Sequence, residues 1–195
     1  MKLSRLVIAS KNEHKIIEIL DVLEATGLDV QLVEDAEWPD VDETEPTLEG
    51  NALLKAREVR VHTGLAVVAD DTGLEVAALG GAPGVVSARY AGENATYDDN
   101  VTKLLEVMEG VEDRTARFRT VMALIDDDGN ELVVEGVMHG EITRERRGSN
   151  GFGYDPVFLV GERTFAEMTT PEKNQISHRA KALRALAAAL ADRSG

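Results

Sequence analysis

The chain has 195 residues, of which 43% are hydrophobic and none is cysteine. That is enough to build one domain, or two lobes that share a core, and it excludes disulfides, thiolate metal sites and cysteine nucleophiles. The 36 acidic and 21 basic residues give a formal net charge of −15, which disfavours general binding to the phosphate backbone of DNA or RNA. No apolar run reaches membrane-spanning length, and the first residues lack a signal-peptide pattern. We therefore expect a cytoplasmic protein with neither a nucleic-acid nor a membrane partner. Adaptation to high salt, where like charges are screened, is a further hypothesis.

The amino-terminal part of the chain predicts two strands and two helices. Leu3–Ala9 is apolar, as in a buried strand, and Glu13–Thr26 repeats apolar residues at helical spacing up to Gly27. Next come a short strand, an acidic loop and a second helix, predicted over Asp29–Val33, Asp35–Glu45 and Pro46–Thr63. We expect Pro46 at the start of that helix because proline is well tolerated in a first turn.

The apolar run Leu65–Ala69 predicts a central strand that ends in Asp70-Asp71-Thr72-Gly73. We therefore expect two carboxylates at the carboxyl end of a strand. The later elements are predicted as a turn-rich loop over Gly80–Gly84, a helix over Tyr97–Glu109, a hairpin of Arg117–Ile125 and Glu131–Met138 around Asp128-Gly129, a short strand over Pro156–Val160 and a helix from Ser177 to about Asp192. Helices that alternate with strands, plus one hairpin, indicate a mixed α/β sheet.

A polar hexapeptide joins the first strand to the first helix: Ser10, Lys11, Asn12, Glu13, His14 and Lys15. Backbone N–H groups, the helix dipole and Lys15 can converge on a phosphate at such a position. The glycine pattern of a P-loop is missing. An ordinary helix start with surface lysines would have the same sequence.

The acids Asp70 and Asp71 have the character of magnesium ligands, because Mg²⁺ prefers carboxylate oxygen and is completed by water and substrate phosphates. Successive strand residues point to opposite faces, so we expect one carboxylate at a site and the other in support. Glu43, in the acidic loop, is a candidate second ligand. A capped turn with solvated acids is the alternative.

Two further segments have the character of a nucleoside pocket. Phe152 lies between two glycines in Gly151–Pro156, which leaves its ring open to a planar partner such as a nucleobase. Lys173–Arg179 combines a helix cap at Ser177 with basic residues in the first turn. A packed hairpin corner and a solvated basic turn are the corresponding structural alternatives.

These four segments, in this order and spacing, resemble the inosine triphosphate pyrophosphatase family, whose members remove deaminated purine nucleotides. The most specific stretches are Ala69–Leu74, Ala78–Gly84 and Ser87–Gly92, and the match spans nearly the whole chain. The resemblance implies a single catalytic domain with an elongated mixed α/β sheet and two lobes around a central nucleotide-binding cleft. It also implies a homodimer and Mg²⁺-dependent hydrolysis of ITP, dITP and XTP to the monophosphate and pyrophosphate.

By the same resemblance, Asp71 is expected to activate water and to bind the metal together with Glu43. The implied substrate ligands are Ser10, Lys11, Asn12, Glu13, His14, Lys15, Lys55 and Thr72 on the phosphate side, and Phe152, Gly153, Tyr154, Asp155, Lys173, His178 and Arg179 on the nucleoside side. Arg179 or a backbone N–H is expected to donate to the 6-keto group of hypoxanthine or xanthine, which the 6-amino donor of adenine does not match.

The sequence departs from the family pattern at two positions. Gly50 stands directly before Asn51-Ala52, where the bacterial pattern has Glu, and Glu49 is displaced by one residue. Lys11 stands where many members have glycine. Two alternative functions remain at this level: a pyrophosphatase for pyrimidine or modified nucleotides, and a nucleotide sensor without turnover. The pair of Glu43 and Asp71 argues against the sensor, since binding alone rarely needs an acid that activates water.

Overall fold

The computed structural model describes residues 3–26, 30–33 and 35–192. Within these ranges the strands are β1 Arg5–Ile8, β2 Gln31–Leu32, β3 Ala66–Val76, β4 Pro83–Gly84, β5 Thr115–Ile125, β6 Glu131–Ile142, β7 Phe158–Val160 and β8 Arg163–Thr164. The helices are α1 Glu13–Thr26, α2 Leu48–Thr63, α3 Tyr97–Val107, α4 Thr170–Ile176 and α5 His178–Asp192. The predicted mixed α/β class is confirmed. In the described ranges, no helix is both long and apolar enough to cross a lipid bilayer.

The strands form a mixed sheet in the order β2, β1, β3, β5, β6, β7, β8, and β4 pairs with β3. Strand β1 is parallel to β2 and β3, whereas β4 is antiparallel to β3. The pairing of β1 with β3 ends at Ile8 and Val68, and the Ala9 N–H still donates to the Val68 carbonyl at 2.8 Å. The loop after β1 and the acids after Val68 therefore begin at the same edge of the sheet.

The first helix agrees with the sequence prediction, whereas strand β1 covers only Arg5–Ile8 of the predicted Leu3–Ala9. Helix α1 has the predicted bounds, and it buries Ile19, Val22 and Leu23 on one face. Strand β2 is shorter than the predicted strand from Asp29, which lies outside the described residues, as does Gly27. Helix α2 begins one residue after its cap Thr47, whose side chain accepts from the Gly50 N–H at 3.0 Å. Pro46 therefore precedes the cap instead of lying in the first turn.

The expectation that a strand ends at Asp70 is wrong, because β3 continues through both acids to Val76. Leu74 and Val76 are fully buried, and Leu74 pairs with Gly84 of β4. A side chain at Gly73 would lie 2.6 Å from the Gly84 carbonyl oxygen. The glycine that suggested a turn instead allows a neighbouring backbone to approach closely.

The later elements are mostly of the predicted type, but several differ from the prediction in their bounds. The hairpin is present, with the Gly129 N–H donating to the Asp126 carbonyl at 3.1 Å and strands β5 and β6 on either side. Pro83 and Gly84 form β4 within the predicted loop, and helix α3 ends at Val107, two residues early. The strand predicted from Pro156 begins at Phe158 after a 3₁₀ turn. Helix α4 was not predicted, although Thr169 and Glu172 form a capping box at its start.

The chain divides into two compact units, each with its own hydrophobic core. The first unit consists of Met1–Asp71, Thr120–Gly136 and Arg179–Gly195, and the second of Thr72–Arg119 and Val137–His178. Helix α5 contributes Leu183 and Leu186 to the core of the first unit. Phe118, Phe158 and Phe165 contact one another in the core of the second, with ring centroids 4.6 to 6.1 Å apart.

Candidate active site

Two adjacent carboxylates of β3 lie in the first unit and have different partners. Asp70 is 1% exposed and meets Lys15 and Arg179, whereas Asp71 is 5% exposed and accepts a hydrogen bond from Asn51 Nδ2 at 3.2 Å. Successive side chains of a strand point to opposite faces, which accounts for the different partners.

Asp70 belongs to a buried chain of alternating charges. Its Oδ2 lies 3.2 Å from Lys15 Nζ and 3.2 Å from Arg179 Nη2, and Arg179 Nη1 donates to Glu18 Oε2. Burial alone would raise the pKa of Asp70, but the positive charges of Lys15, Arg179 and Lys55 outweigh burial and lower it. Burial lowers the pKa of Lys15, and the nearby Asp70 charge only partly offsets this. Asp70 is therefore a carboxylate at neutral pH and a partner for both cations.

Asp71 is in a different electrostatic environment. Burial, followed by the negative charge of Glu43, raises the pKa of Asp71 to about 6, although Lys55, Lys15 and the hydrogen bond from Asn51 act in the opposite direction. Glu43 itself forms an ion pair with Lys55, whose Nζ also donates to the Asp70 carbonyl at 2.9 Å. Burial would lower the pKa of Lys55, but Glu43, Asp70 and Asp71 together outweigh burial and raise this pKa.

The donor set around Asp71 fits a hard divalent cation. Glu43 raises the pKa of Asp71 by electrostatic repulsion, and a cation bound between carboxylates relieves such repulsion. Among the described residues there is no group of three or more His, Cys, Asp and Glu side chains that could enclose a metal. Mg²⁺ does not need such a cage, because one or two carboxylates, water and substrate phosphates complete its shell. Glu43 and Asp71 therefore have the chemistry of a magnesium site.

The loop from Ser10 to Lys15 contributes one side chain to this charge cluster. Asn12 Oδ1 accepts from the N–H groups of His14 and Lys15 at 3.1 and 3.4 Å, and Ser10 Oγ accepts from the Asn12 N–H at 3.2 Å. These polar side chains therefore order the start of helix α1. Lys11 instead forms an exposed ion pair with Asp40 at 2.5 Å, and Glu13 and His14 are exposed.

The glycine loop of the second unit is centred on a buried ion pair. Asp155 Oδ2 accepts from Lys173 Nζ at 2.6 Å and from the Phe152 N–H at 2.9 Å, and both charged side chains are at most 5% exposed. Lys173 Nζ also lies 5.0 Å from the centroid of the Phe152 ring, within the range of a cation–π contact. Gly151 has a φ of +73°, and a side chain there would lie 2.0 Å from Asp155 Oδ2. The glycine permits the turn that brings Phe152, Asp155 and Lys173 together.

Four other residues of the predicted site are buried or half-buried. Tyr154 is buried, and its hydroxyl donates to the Ser87 carbonyl at 2.8 Å. His178 is 3% exposed and stacks on Phe118 at 4.6 Å in the second unit. Arg179, 2% exposed, belongs to the charge cluster of the first unit, and Thr72 is half-buried in β3 directly after Asp71. Arg179 therefore contacts Asp70 and Glu18 in the first unit.

The sequence prediction missed three side chains that hold site residues. Asn51 lies four residues before Lys55 on α2, and Glu18 lies three residues after Lys15 on α1. Side chains at these spacings lie on the same face of a helix, so the sequence spacing indicates that Asn51 is close to Lys55 and Glu18 is close to Lys15. Phe118, which stacks on His178, had no such local signal.

The departure at Gly50 also has a structural consequence. A Cβ atom at Gly50 would lie 2.7 Å from Cβ of Glu45, so a larger residue would require the loop before α2 to shift. The displaced Glu49 is exposed.

Comparison with known proteins agrees with the resemblance found in the motifs. The sequence model of the Ham1 family matches residues 6–189. A dITP/XTP pyrophosphatase of Bacillus licheniformis is 49% identical, over 96% of this chain and 98% of its own length. One of Porphyromonas gingivalis is 53% identical, over 93% and 94%. The structure of a HAM1 protein from Coxiella burnetii matches with a TM-score of 0.88 at 43% identity, over 97% of this chain and all of that one. The prediction of the family is confirmed, and the chain belongs to the Ham1 family.

Proposed function

We propose that this chain is a nucleoside triphosphate pyrophosphatase that hydrolyses dITP, XTP and ITP to the monophosphate and pyrophosphate, and so removes deaminated purine nucleotides. Relatives with the name dITP/XTP pyrophosphatase match more than nine tenths of the chain at 45 to 53% identity. The observation that carries the proposal in this chain is the buried Asp71, whose pKa is raised to about 6 next to Glu43 and two lysines. The family model covers residues 6–189 as one match, which supports treating the chain as a single catalytic domain.

In the first unit, we assign Asp71 to the attacking water. The carboxylate of Asp71 is mostly ionised at pH 7 and above, and bound Mg²⁺ would lower its pKa, so Asp71 orients the attacking water and accepts its proton only as a weak base. Asn51 holds one oxygen of Asp71 in place through its amide N–H. When bound by Glu43 and Asp71, Mg²⁺ supplies positive charge to the triphosphate and to the pyrophosphate leaving group.

Lys15 and Lys55 are the cations that we assign to the phosphates. Each is largely buried, with 18% and 14% of its side chain exposed, and each is held by a carboxylate of the same cluster. Fixed ammonium groups stabilise the charge that develops on a leaving pyrophosphate without having to reorganise. Ser10, Asn12 and His14 already use their backbone N–H groups within this segment. Backbone contacts to phosphate at the start of α1 would therefore come from the N–H groups of Lys11 and Glu13.

In the second unit, we assign Phe152 and the Asp155–Lys173 pair to the nucleoside. Aromatic stacking contributes about 1–3 kcal/mol per base and does not depend strongly on the base. Selectivity requires hydrogen-bond donors that match the 6-keto group, and in this unit we keep Lys173 and His178 as the candidate donors. Rejection of a base with the wrong edge reaches about 10⁴-fold where the donors of a site are left without acceptors.

The decisive experiment is a substrate panel with purified protein and Mg²⁺. It compares dITP, XTP and ITP with ATP, GTP, dTTP and UTP, and it measures pyrophosphate separately from orthophosphate, with Asp71→Asn as the inactive control. We expect pyrophosphate as the first product and the three deaminated purines as preferred substrates. Orthophosphate as first product, or a preference for ATP or for pyrimidines, would reject the proposal. The same preparation tests by light scattering whether the protein is a homodimer, which the resemblance implies. The cytoplasmic location remains a prediction.

A further inference from the structure

Tyr97 lies beside the glycine loop and had no place in the predicted site. It is the first residue of helix α3, and its ring centroid lies 5.9 Å from that of Phe152, with 47° between the ring planes. Such tilted pairs are a favourable aromatic arrangement. Tyr97 is 43% exposed and is the aromatic member of the exposed large hydrophobic side chains in the described ranges. Two separate segments of the second unit thus present adjoining aromatic surface.

The backbone that carries Tyr97 is held firmly. Thr96 and Asp99 form a capping box, with the Thr96 N–H donating to Asp99 Oδ2 at 2.8 Å. Asn100 is 2% exposed. Its Oδ1 accepts a hydrogen bond from the Ala91 N–H at 2.7 Å, and its Nδ2 donates to the Ala88 carbonyl at 3.0 Å. Arg146 donates to the Asp98 carboxylate at 2.9 Å. The backbone that carries the Tyr97 side chain is therefore fixed before any ligand binds.

Phe152 and Tyr97 offer a planar ligand different surroundings. The ammonium of Lys173 lies over the Phe152 ring and makes that area polar, whereas Tyr97 adds uncharged ring surface next to it. A base stacked between two parallel rings would need about 7 Å between them, since stacked atoms are about 3.5 Å apart. The ring centroids are only 5.9 Å apart and the rings are tilted, so a base does not fit between them and would lie against an outer face of the pair.

We propose that Tyr97 is a binding residue for the nucleobase and forms, with Phe152, an aromatic wall against which the purine packs. This inference rests on the proposed function and adds a contact to it. Packing against a ring does not read hydrogen-bond donors or acceptors, so Tyr97 contributes affinity for purine nucleotides in general and not selectivity between them. It acts equally on the ground state and the transition state, and it therefore affects KM and not kcat.

The test compares Tyr97→Ala and Tyr97→Phe with Val107→Ala, which removes an exposed apolar side chain from the other end of the same helix. We expect Tyr97→Ala to raise KM for dITP and XTP about tenfold, equally for both, with kcat within about twofold of the original protein. Tyr97→Phe and Val107→Ala should leave KM within about twofold. The inhibition constant of pyrophosphate should be unchanged in all three, because pyrophosphate carries no base.

Each other outcome is informative. An unchanged KM in Tyr97→Ala would overturn the inference and leave the proposed function intact. A KM raised as much in Tyr97→Phe as in Tyr97→Ala would also overturn it, because the contact would then be made by the hydroxyl and not by the ring. A change in pyrophosphate inhibition or a large fall in melting temperature would identify a structural role and also overturn it. Failure of the unmodified protein to hydrolyse dITP would instead reject the proposed function. Equilibrium dialysis with dIMP would then test Tyr97→Ala by binding alone, and undiminished affinity would reject the wall.

Discussion

In the metal-free protein, we expect the substitution Asp71→Asn to increase stability while it removes activity. Asp71 is 5% exposed, and burial and Glu43 raise its pKa to about 6. The folded state therefore holds its carboxylate at a cost that the unfolded chain does not have. Asparagine keeps an oxygen that can accept the hydrogen bond from Asn51 but carries no charge.

The magnitude follows from the difference between about 6 and the ordinary aspartate pKa of about 3.9. Two pKa units correspond to about 3 kcal/mol, which for a chain of this size is about 6–12 °C in melting temperature. The folded protein binds this proton more tightly than the unfolded chain, so the penalty is absent below about pH 4, grows as pH rises, and is complete above about pH 6. The advantage of Asp71→Asn should follow the same profile.

The assay is thermal unfolding of both proteins in EDTA between pH 4 and pH 8, repeated at pH 8 with Mg²⁺. Magnesium should stabilise the original protein more than the variant, because ligands of the folded state shift the unfolding equilibrium in proportion to their affinity. Turnover of dITP in the variant should fall by about 10²- to 10⁴-fold, the usual contribution of a general base.

The neighbouring residue provides a matched control with the opposite sign. Asp70 is equally buried, but Lys15, Arg179 and Lys55 outweigh burial and lower its pKa. Asp70→Asn removes a partner from buried cations, which costs about 3–5 kcal/mol. A metal-free Asp71→Asn protein that is less stable than the original at pH 8 would refute the reasoning, as would a gain in stability in Asp70→Asn.

Three further predictions concern the remaining charges. Lys55→Met should raise KM for dITP at least about tenfold while Lys181→Met, an exposed position on α5, has little effect; equal KM values would exclude a phosphate contact by Lys55. Lys173→Met leaves the Asp155 carboxylate buried and should cost about 3–5 kcal/mol in urea unfolding, part of which the double variant with Asp155→Asn should recover; no recovery would show that the loss is one of packing. The net charge of −15 predicts a higher melting temperature in 2 M than in 0.1 M KCl, because salt screens the repulsion between like charges. A melting temperature that is the same at both salt concentrations would reject the hypothesis of adaptation to high salt.

The local elements were predicted where one physical signal dominated. The sequence predicts helix α1 with its observed bounds because apolar residues recur at helical spacing and Gly27 follows them. Strand β3 was cut short because Asp70-Asp71-Thr72-Gly73 has the composition of a turn. In the structure, β4 pairs with β3 at Leu74 and Glu75, across the space that Gly73 leaves open, and this backbone stays extended.

The sequence by itself determined the family and suggested the chemistry of the candidate site, since both depend on short motifs whose side chains are local. It did not determine which charges meet. The family motif assigns Arg179 to the base pocket, and in the structure Arg179 contacts Asp70, 109 positions away in the chain. Asn51 meets Asp71 across 20 residues, and Phe118 meets His178 across the second unit's core. Tertiary structure decides such contacts because burial makes an isolated charge costly, so each charge is held by whichever opposite charge the packing of distant segments brings to it.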